Sequence, residues 1–230
     1  MKTTIVAGPP SAGKTAVISN AIRVLQAEGL RPGAVKFDTR SSADPERYRE
    51  RFGIPALGGL SGYLCPDHYF VSNLEEAMEW GESNGTDFLF IETAGLCLRC
   101  APHVRGLPAV TVVDCLGGLD VPVKMGPMLS LADIIVLTKG DLVSQAERDV
   151  LRHRINRVNG GAAVLAVNGL TGTGTLPFLR RLREWDYTDM AADQVLRHDM
   201  PAAICSYCTG EQRIGRMYQS GNVEKLSWRT

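Results

Sequence analysis

The chain has 230 residues, 44% of them hydrophobic, with 25 basic and 25 acidic side chains and a net charge of zero. That length fits one large domain, or one domain with an extension, around an ordinary globular core. The charge balance argues against non-specific binding to nucleic acid or to an acidic membrane surface. No apolar run reaches the length of a membrane span, and the chain enters a strand at once with no signal-peptide pattern, so a cytoplasmic location is expected.

Thr3 to Ala7 is a short apolar run, and Thr15 to Glu28 has helical periodicity closing on Gly29. Between them lies Gly8-Pro9-Pro10-Ser11-Ala12-Gly13-Lys14-Thr15, with the spacing G-x-x-x-x-G-K-[ST] in the strand–loop–helix context that gives it meaning. Backbone N–H groups of such a loop cradle phosphate oxygens, and the helix N-terminus adds partial positive charge. Lys14 can reach the outer phosphates, and the Thr15 hydroxyl can ligate Mg²⁺. Gly8, Ser11, Ala12 and Gly13 complete the nucleotide-binding set.

A second strand is expected over Ala34 to Phe37, closing on Asp38. A charged surface helix is expected over Pro45 to Arg51. Ile54 to Asp67 is rich in Gly and Pro and reads as a long irregular loop, a length that usually signals function. It leads into Cys65-Pro66-Asp67-His68. Ser72-x-x-Glu75 has the form of a capping box opening a helix to about Trp80. Phe88 to Ile91, Val110 to Val113, Ile134 to Leu137 and Ala163 to Val167 read as buried strands. Ser144-x-x-Glu147 caps a helix to about Val158, Asn168 to Gly174 is a polar turn, and Leu176 to Trp185 is the last amphipathic helix.

Short apolar strands alternating with helices predict an α/β fold. It is a three-layer P-loop NTPase with a mostly parallel central sheet and functional residues at the strand C-termini. Residues 1–185 are expected to form this P-loop domain, which the strand-end motifs below make a GTPase domain. Residues 186–230 form a small C-terminal extension containing a Cys-x-x-Cys pair.

Thr138-Lys139-Gly140-Asp141 ends a buried strand well downstream of the P-loop. The Asp141 carboxylate can accept from the guanine N1–H and exocyclic amine, both missing from adenine, while the Lys139 stem packs along the base. Asn168 opens the turn that would close over the base. The nucleotide is therefore read as GTP. Glu92 and Gly95, at the end of the Phe88 strand, occupy the position of a Mg²⁺-holding carboxylate and a γ-phosphate-sensing amide. Asp38 is placed in the Mg²⁺ shell, or orienting the attacking water, or in a buried salt bridge.

The six cysteines include two Cys-x-x-Cys pairs, Cys97/Cys100 and Cys205/Cys208. In a reducing compartment that spacing points to a metal, an iron–sulfur cluster or thiol redox chemistry. Cys97 and Cys100 directly follow the γ-phosphate sensor. Two thiolates from each of two subunits would suit Zn²⁺ or a bridging [4Fe–4S] cluster, with His103 as a substitute for a thiolate. Cys205/Cys208 is read as structural zinc, a cluster or a delivery site, and Cys115 as a packing residue.

The order of these motifs resembles the nickel-insertion GTPases that serve urease and hydrogenase maturation, within the dimeric class of P-loop NTPases. The resemblance covers Lys2 to Arg183. It rests on the P-loop, Asp38, Gly58-Gly59 through Cys65-Pro66, Glu92-Thr93-Ala94-Gly95, Asp114, Lys124 with Gly126-Pro127, and Thr138 to Asp141. It implies a GTPase that is a homodimer across the nucleotide face. It also implies Ni²⁺ held by Cys65, and by His68 if Asp67 is absorbed in the turn, and a client metalloenzyme that receives the metal. Cys65-Pro66-Asp67-His68 carries one residue more than the relatives' Cys-Pro-His, and the two Cys-x-x-Cys pairs are additions. Three readings follow: a GTP-gated metallochaperone, an iron–sulfur NTPase for cluster assembly or electron delivery, and a nucleotide switch with structural zinc.

Overall fold

A computed structural model describes residues 1–96, 103–187, 194–199 and 210–228. Cys97, Cys100, Cys205 and Cys208 lie outside the described residues.

Among the described residues there are seven strands: β1 Lys2–Ala7, β2 Pro32–Asp38, β3 Ala56–Leu60, β4 Phe88–Glu92, β5 Ala109–Asp114, β6 Ile134–Thr138 and β7 Ala163–Ala166. They form one sheet in the order β3-β2-β4-β1-β5-β6-β7. Every pairing in it is parallel. Among the described residues, eight α-helices accompany them: α1 Lys14–Ala27, α2 Asp44–Phe52, α3 Pro66–Ser72, α4 Leu74–Ser83, α5 Val121–Lys124, α6 Pro127–Ser130, α7 Gln145–Val158 and α8 Thr175–Arg183.

Strand alternation sorts the apolar residues onto two faces. Val6, Ala34, Phe90, Val112 and Val136 face α1, α2 and α8, where they meet Val17, Ile22, Tyr48 and Phe178. Ile5, Val35, Phe37, Leu89 and Ile91 face α3 and α4, packing on Phe70, Leu74 and Trp80. Ala7, Val113, Ile135 and Leu137 continue that face under Met128 and Leu129 of α6 and Leu151 and Ile155 of α7. The result is three layers with a sheet buried on both sides, as the apolar strands require.

Two expectations are corrected. The stretch from Ile54 is not irregular throughout, because Ala56–Leu60 adds an edge strand to β2 and Pro66–Ser72 is a helix. Gly59 in that strand lies against the Phe37 ring, which a β-carbon would approach to 2.8 Å. Packing, not strand propensity, selects it. The box proposed at Ser72 does not form. Ser72 ends α3, and α4 starts from Asn73, whose amide donates to the Tyr69 and Glu224 carbonyls. The Ser144 box does form, with Ser144 Oγ accepting from Glu147 N and the Glu147 carboxylate accepting in return.

The described parts of the C-terminal segment lie on the α3/α4 side of the sheet. Leu196, Ile214 and Leu226 are buried in that core. Arg197 makes a two-pronged ion pair with Asp133, at 2.9 and 2.7 Å, and donates to the Val104, Leu107 and Leu131 carbonyls. Arg216 binds Glu76 and Glu79 of α4 at 2.9 and 2.7 Å.

Candidate functional site

The site is built along the C-terminal edge of β1, β2, β4, β5 and β6. The loop after β1 wraps into the start of α1. Gly8 crosses so close to β5 that a β-carbon would sit 2.4 Å from the Val112 carbonyl oxygen, and its φ of +146° lies outside the range L side chains favour. Lys14 folds back over the loop. Its Nζ donates to the Gly8 and Pro9 carbonyls, each at 2.9 Å, and reaches the Ala94 carbonyl at 3.5 Å. Burial pulls the Lys14 ammonium down to about 8, against the opposing pull of Glu92. Phosphate oxygens offer this ammonium stronger partners than neutral carbonyls do.

The end of β6 braces the same loop. Thr138 Oγ1 donates to the Ala12 carbonyl at 2.6 Å, and Lys139 Nζ donates to the Ser11 carbonyl at 2.9 Å. Lys139 also pairs with Asp114, whose carboxylate accepts from Leu116 N. A cavity of about 250 Å³ lies between Gly13, Thr138, Lys139, Asp141, Asn168 and Leu170. The P-loop, the Lys139–Asp141 segment and the Asn168 turn therefore line one hollow, with Asp141 exposed at its rim. Asn168 Oδ1 accepts from Leu170 N and Thr171 N, so its side chain holds the turn itself in shape.

Glu92 is 2% exposed and accepts four contacts. Thr15 Oγ1 lies 2.9 and 3.1 Å from its two oxygens, Tyr48 donates to it at 3.2 Å, and Lys36 Nζ sits 2.6 Å from Oε1. Asp44 Oδ2 is 3.4 Å from the Thr15 hydroxyl and 3.7 Å from Lys36 Nζ. A hydroxyl with two carboxylates is a hard-oxygen donor set of the kind magnesium takes. Asp38 stands elsewhere. Its Oδ1 accepts from Thr39 N at 2.8 Å, although its charge is felt at Lys14. Among the described contacts, the acidic partner of Thr15 from the β2–α2 region is Asp44, not Asp38.

Sequence reasoning missed Lys36, Asp44 and Tyr48. A signal was present, because alternation with Val35 and Phe37 turns Lys36 into the opposite buried layer, where a lysine needs a partner. The helix over Asp44–Phe52 is also less superficial than its charge suggests, since Pro45 and Tyr48 are buried. Burial and the neighbouring Glu92 push the Tyr48 hydroxyl well above its ordinary value, so it stays a donor.

Gly95 follows β4 with φ +76°, and its backbone presses on the P-loop. A β-carbon there would lie 1.7 Å from the Gly8 carbonyl oxygen and 3.0 Å from Lys14 Nζ. The amide expected to sense the γ-phosphate is thus at the P-loop.

Cys65 is the N-cap residue of α3 and is partly exposed. His68, in the first turn, is 4% exposed. Asp67 between them is completely buried, and neither carboxylate oxygen has a hydrogen-bond partner among the described residues. Burial raises its carboxyl to about 7, the Cys65 thiolate pushes the same way, and Lys14 opposes. Among the described residues, no three His, Cys, Asp or Glu side chains converge to hold a metal ion. His103 is fully buried, with Nε2 3.1 Å from the Met128 carbonyl, and burial pulls it down to about 4. One of its ring nitrogens is thereby committed to backbone rather than to a metal. Cys115 is buried in the α6/α7 core, as a packing residue should be. No helix among the described residues is long and apolar enough to cross a membrane.

A family model described as CobW/HypB/UreG, nucleotide-binding domain, matches residues 2–166. The chain is 43% identical over 226 residues to an uncharacterized protein of Methanocaldococcus jannaschii, covering 98% of this chain and 96% of that one. It is 30% identical over 182 residues to the urease accessory protein UreG 2 of a Bradyrhizobium species, covering 74% and 84%. The crystal structure of hydrogenase maturation factor HypB from Archaeoglobus fulgidus superposes with a TM-score of 0.63 at 26% identity, over 80% of this chain and 89% of that one.

Proposed function

The chain belongs to the CobW/HypB/UreG nucleotide-binding family of P-loop GTPases, and from that premise we propose that it is a GTP-gated metallochaperone. In this reading two protomers pair across the nucleotide face, cysteines bind a nickel-like ion, and the ion passes to a client metalloenzyme or its maturation complex. Residues 1–185 act as the GTPase domain and the remainder as a Cys-x-x-Cys extension.

The bound guanine would fill the hollow between Lys139 and Asn168, with Asp141 reading its edge. Lys14 exchanges the Gly8 and Pro9 carbonyls for β- and γ-phosphate oxygens. Thr15, with the Glu92 and Asp44 carboxylates beside it, would hold Mg²⁺, which would neutralise charge on those oxygens when bound, leaving Asp38 to the attacking water. Asp38 orients the attacking water, and the Gly95 amide reports the γ-phosphate to the chain beyond it.

The observation that carries the metallochaperone reading is Asp67. One buried carboxyl feels both the P-loop lysine and the Cys65 thiol. Nucleotide at Lys14 and metal at Cys65 therefore act on one electrostatic neighbourhood. In this reading the site at Cys65 is completed by Cys97 and Cys100, by Cys205 and Cys208, or by a second protomer.

The test is anaerobic purification with metal and sulfide analysis, repeated on Cys65→Ala, Cys97→Ala and Cys205→Ala. Light scattering with and without a non-hydrolysable GTP analogue accompanies it. The expected result is a dimer that forms with the analogue and loses metal in at least the Cys65 variant. Full metal content in all three variants overturns the assignment, and a brown protein with stoichiometric sulfide replaces it with an iron–sulfur NTPase.

A further inference from the structure

Lys36 is used by no step above, yet it is buried and ion-paired inside the site. It stands on β2 directly opposite Glu92 of β4 in the parallel ladder, so the two side chains emerge on the same face. That face is the one covered by α1 and α2. The Lys36 side chain is 7% exposed and that of Glu92 3%. Nζ lies 2.6 Å from Glu92 Oε1 and 3.7 Å from Asp44 Oδ2. The Thr15 hydroxyl, the P-loop's own metal-binding group, contacts the same two carboxylates. The ammonium is therefore lodged among the oxygens that a divalent ion at Thr15 would need.

We propose that Lys36 is a built-in cation that closes the magnesium site to divalent ions until a nucleotide arrives. The charges decide the behaviour. Glu92, Asp44 and Lys36 together carry one negative charge, which gives a divalent ion little reason to enter. Without the ammonium the same pocket would carry the charge of buried Glu92 and that of partly exposed Asp44, and it would bind such an ion more strongly. The outward-lying Arg47 offsets Asp44 only from the solvent side, at 3.3 Å. A nucleoside triphosphate brings several further negative charges to the neighbouring loop, which one ammonium cannot balance. Lys36 would then give up Glu92, leaving the Glu92 and Asp44 carboxylates to hold Mg²⁺ beside the phosphates. Lys14 does not compete for this role, because its Nζ is held by the Gly8 and Pro9 carbonyls.

The device has a use that rests on the metallochaperone reading. An oxygen site left open would take Ni²⁺ or Zn²⁺ in preference to Mg²⁺, following the usual order of divalent affinities. A protein that carries such ions on nearby thiols needs its hydrolytic site shut while empty. The closure itself does not depend on that reading, and its test involves no cargo metal.

The probe is Mn²⁺, a hard ion that prefers oxygen and reports its free form by electron paramagnetic resonance. It is titrated into the metal-stripped, nucleotide-free full chain. The wild type should leave Mn²⁺ free until a non-hydrolysable GTP analogue is added and should then take up one equivalent beyond what the analogue binds without protein. Lys36→Met should take up one equivalent without nucleotide, with affinity roughly 100-fold above the wild type. Adding Glu92→Gln to that variant should abolish the uptake and so locate the ion, while Lys36→Arg, which keeps the charge, should stay closed. Tight nucleotide-free uptake by the wild type overturns the proposal even if every variant fails to fold. So does a folded Lys36→Met that binds no better than wild type, or a Lys36→Arg as open as Lys36→Met. Loss of the thiol-bound metal in the cysteine variants leaves all these readings unchanged, so the two proposals fail separately.

Discussion

Asp67 makes stability depend on pH in a direction opposite to that of most paired carboxylates. Its carboxyl is pushed from an ordinary 3.8 up to about 7 by burial. No hydrogen bond among the described residues compensates it. The native state therefore holds this proton more tightly than the unfolded chain does. Between 3.8 and about 7 the native state binds more protons, so stability falls as pH rises through that window and is constant above it. From pH 5 to about 7 the loss accumulates at ~1.4 kcal/mol per pH unit, or ~2–3 kcal/mol in all. Asp67→Asn keeps the shape and removes the titration. Urea unfolding of the nucleotide-free, metal-stripped protein at pH 5 and pH 8 measures the effect. The wild type should lose ~2–3 kcal/mol more between the two pH values than the variant does. Taking the difference between proteins removes every other titrating group that the substitution does not touch. If both proteins change equally with pH, Asp67 is not a buried uncompensated acid, and the link drawn through it between Lys14 and Cys65 goes too.

Gly95→Ala would push a methyl group into the Gly8 carbonyl oxygen at a backbone φ of +76°. GDP affinity should fall by ~100-fold or more, with a lower melting temperature, because the strain alone costs ~1–2 kcal/mol before the P-loop moves; unchanged GDP titration calorimetry would refute that close approach. Arg197→Ala leaves Asp133 without its two-pronged partner and three carbonyls without a donor. The expected loss is ~2–5 kcal/mol in thermal or urea unfolding with GDP affinity kept, and a loss below that range would mean the C-terminal segment is not clipped to the domain through this residue.

The P-loop fold and the GTPase class were legible because their signals are local. The spacing from Gly8 to Thr15 sits between a strand and a helix, and Thr138 to Asp141 ends another strand, so each motif carries its own context in a few residues. The Ser144 box is equally self-contained, since both of its hydrogen bonds close within one turn. Ser72 shows the limit of such reasoning. Ser72-x-x-Glu75 is an identical pattern, but there the chain is already helical, and Asn73 is held by Glu224 from the far end of the sequence. A local preference worth about 1 kcal/mol gives way to burial and a distant hydrogen bond. The strand at Ala56–Leu60 was hidden for a related reason. Its glycines have low strand propensity, and only the Phe37 ring explains why they are wanted.

Sequence alone determined that this chain is an α/β P-loop GTPase, because periodicity and motif spacing are properties of neighbouring residues. The tertiary structure decided which charges face one another. It set Lys36 against Glu92 through the register of two strands far apart in sequence, put Asp44 rather than Asp38 beside Thr15, and buried Asp67 where the charges of Cys65 and Lys14 act on it. A charge's behaviour depends on what surrounds it in space and on how much water remains, and neither can be read from the order of residues along the chain.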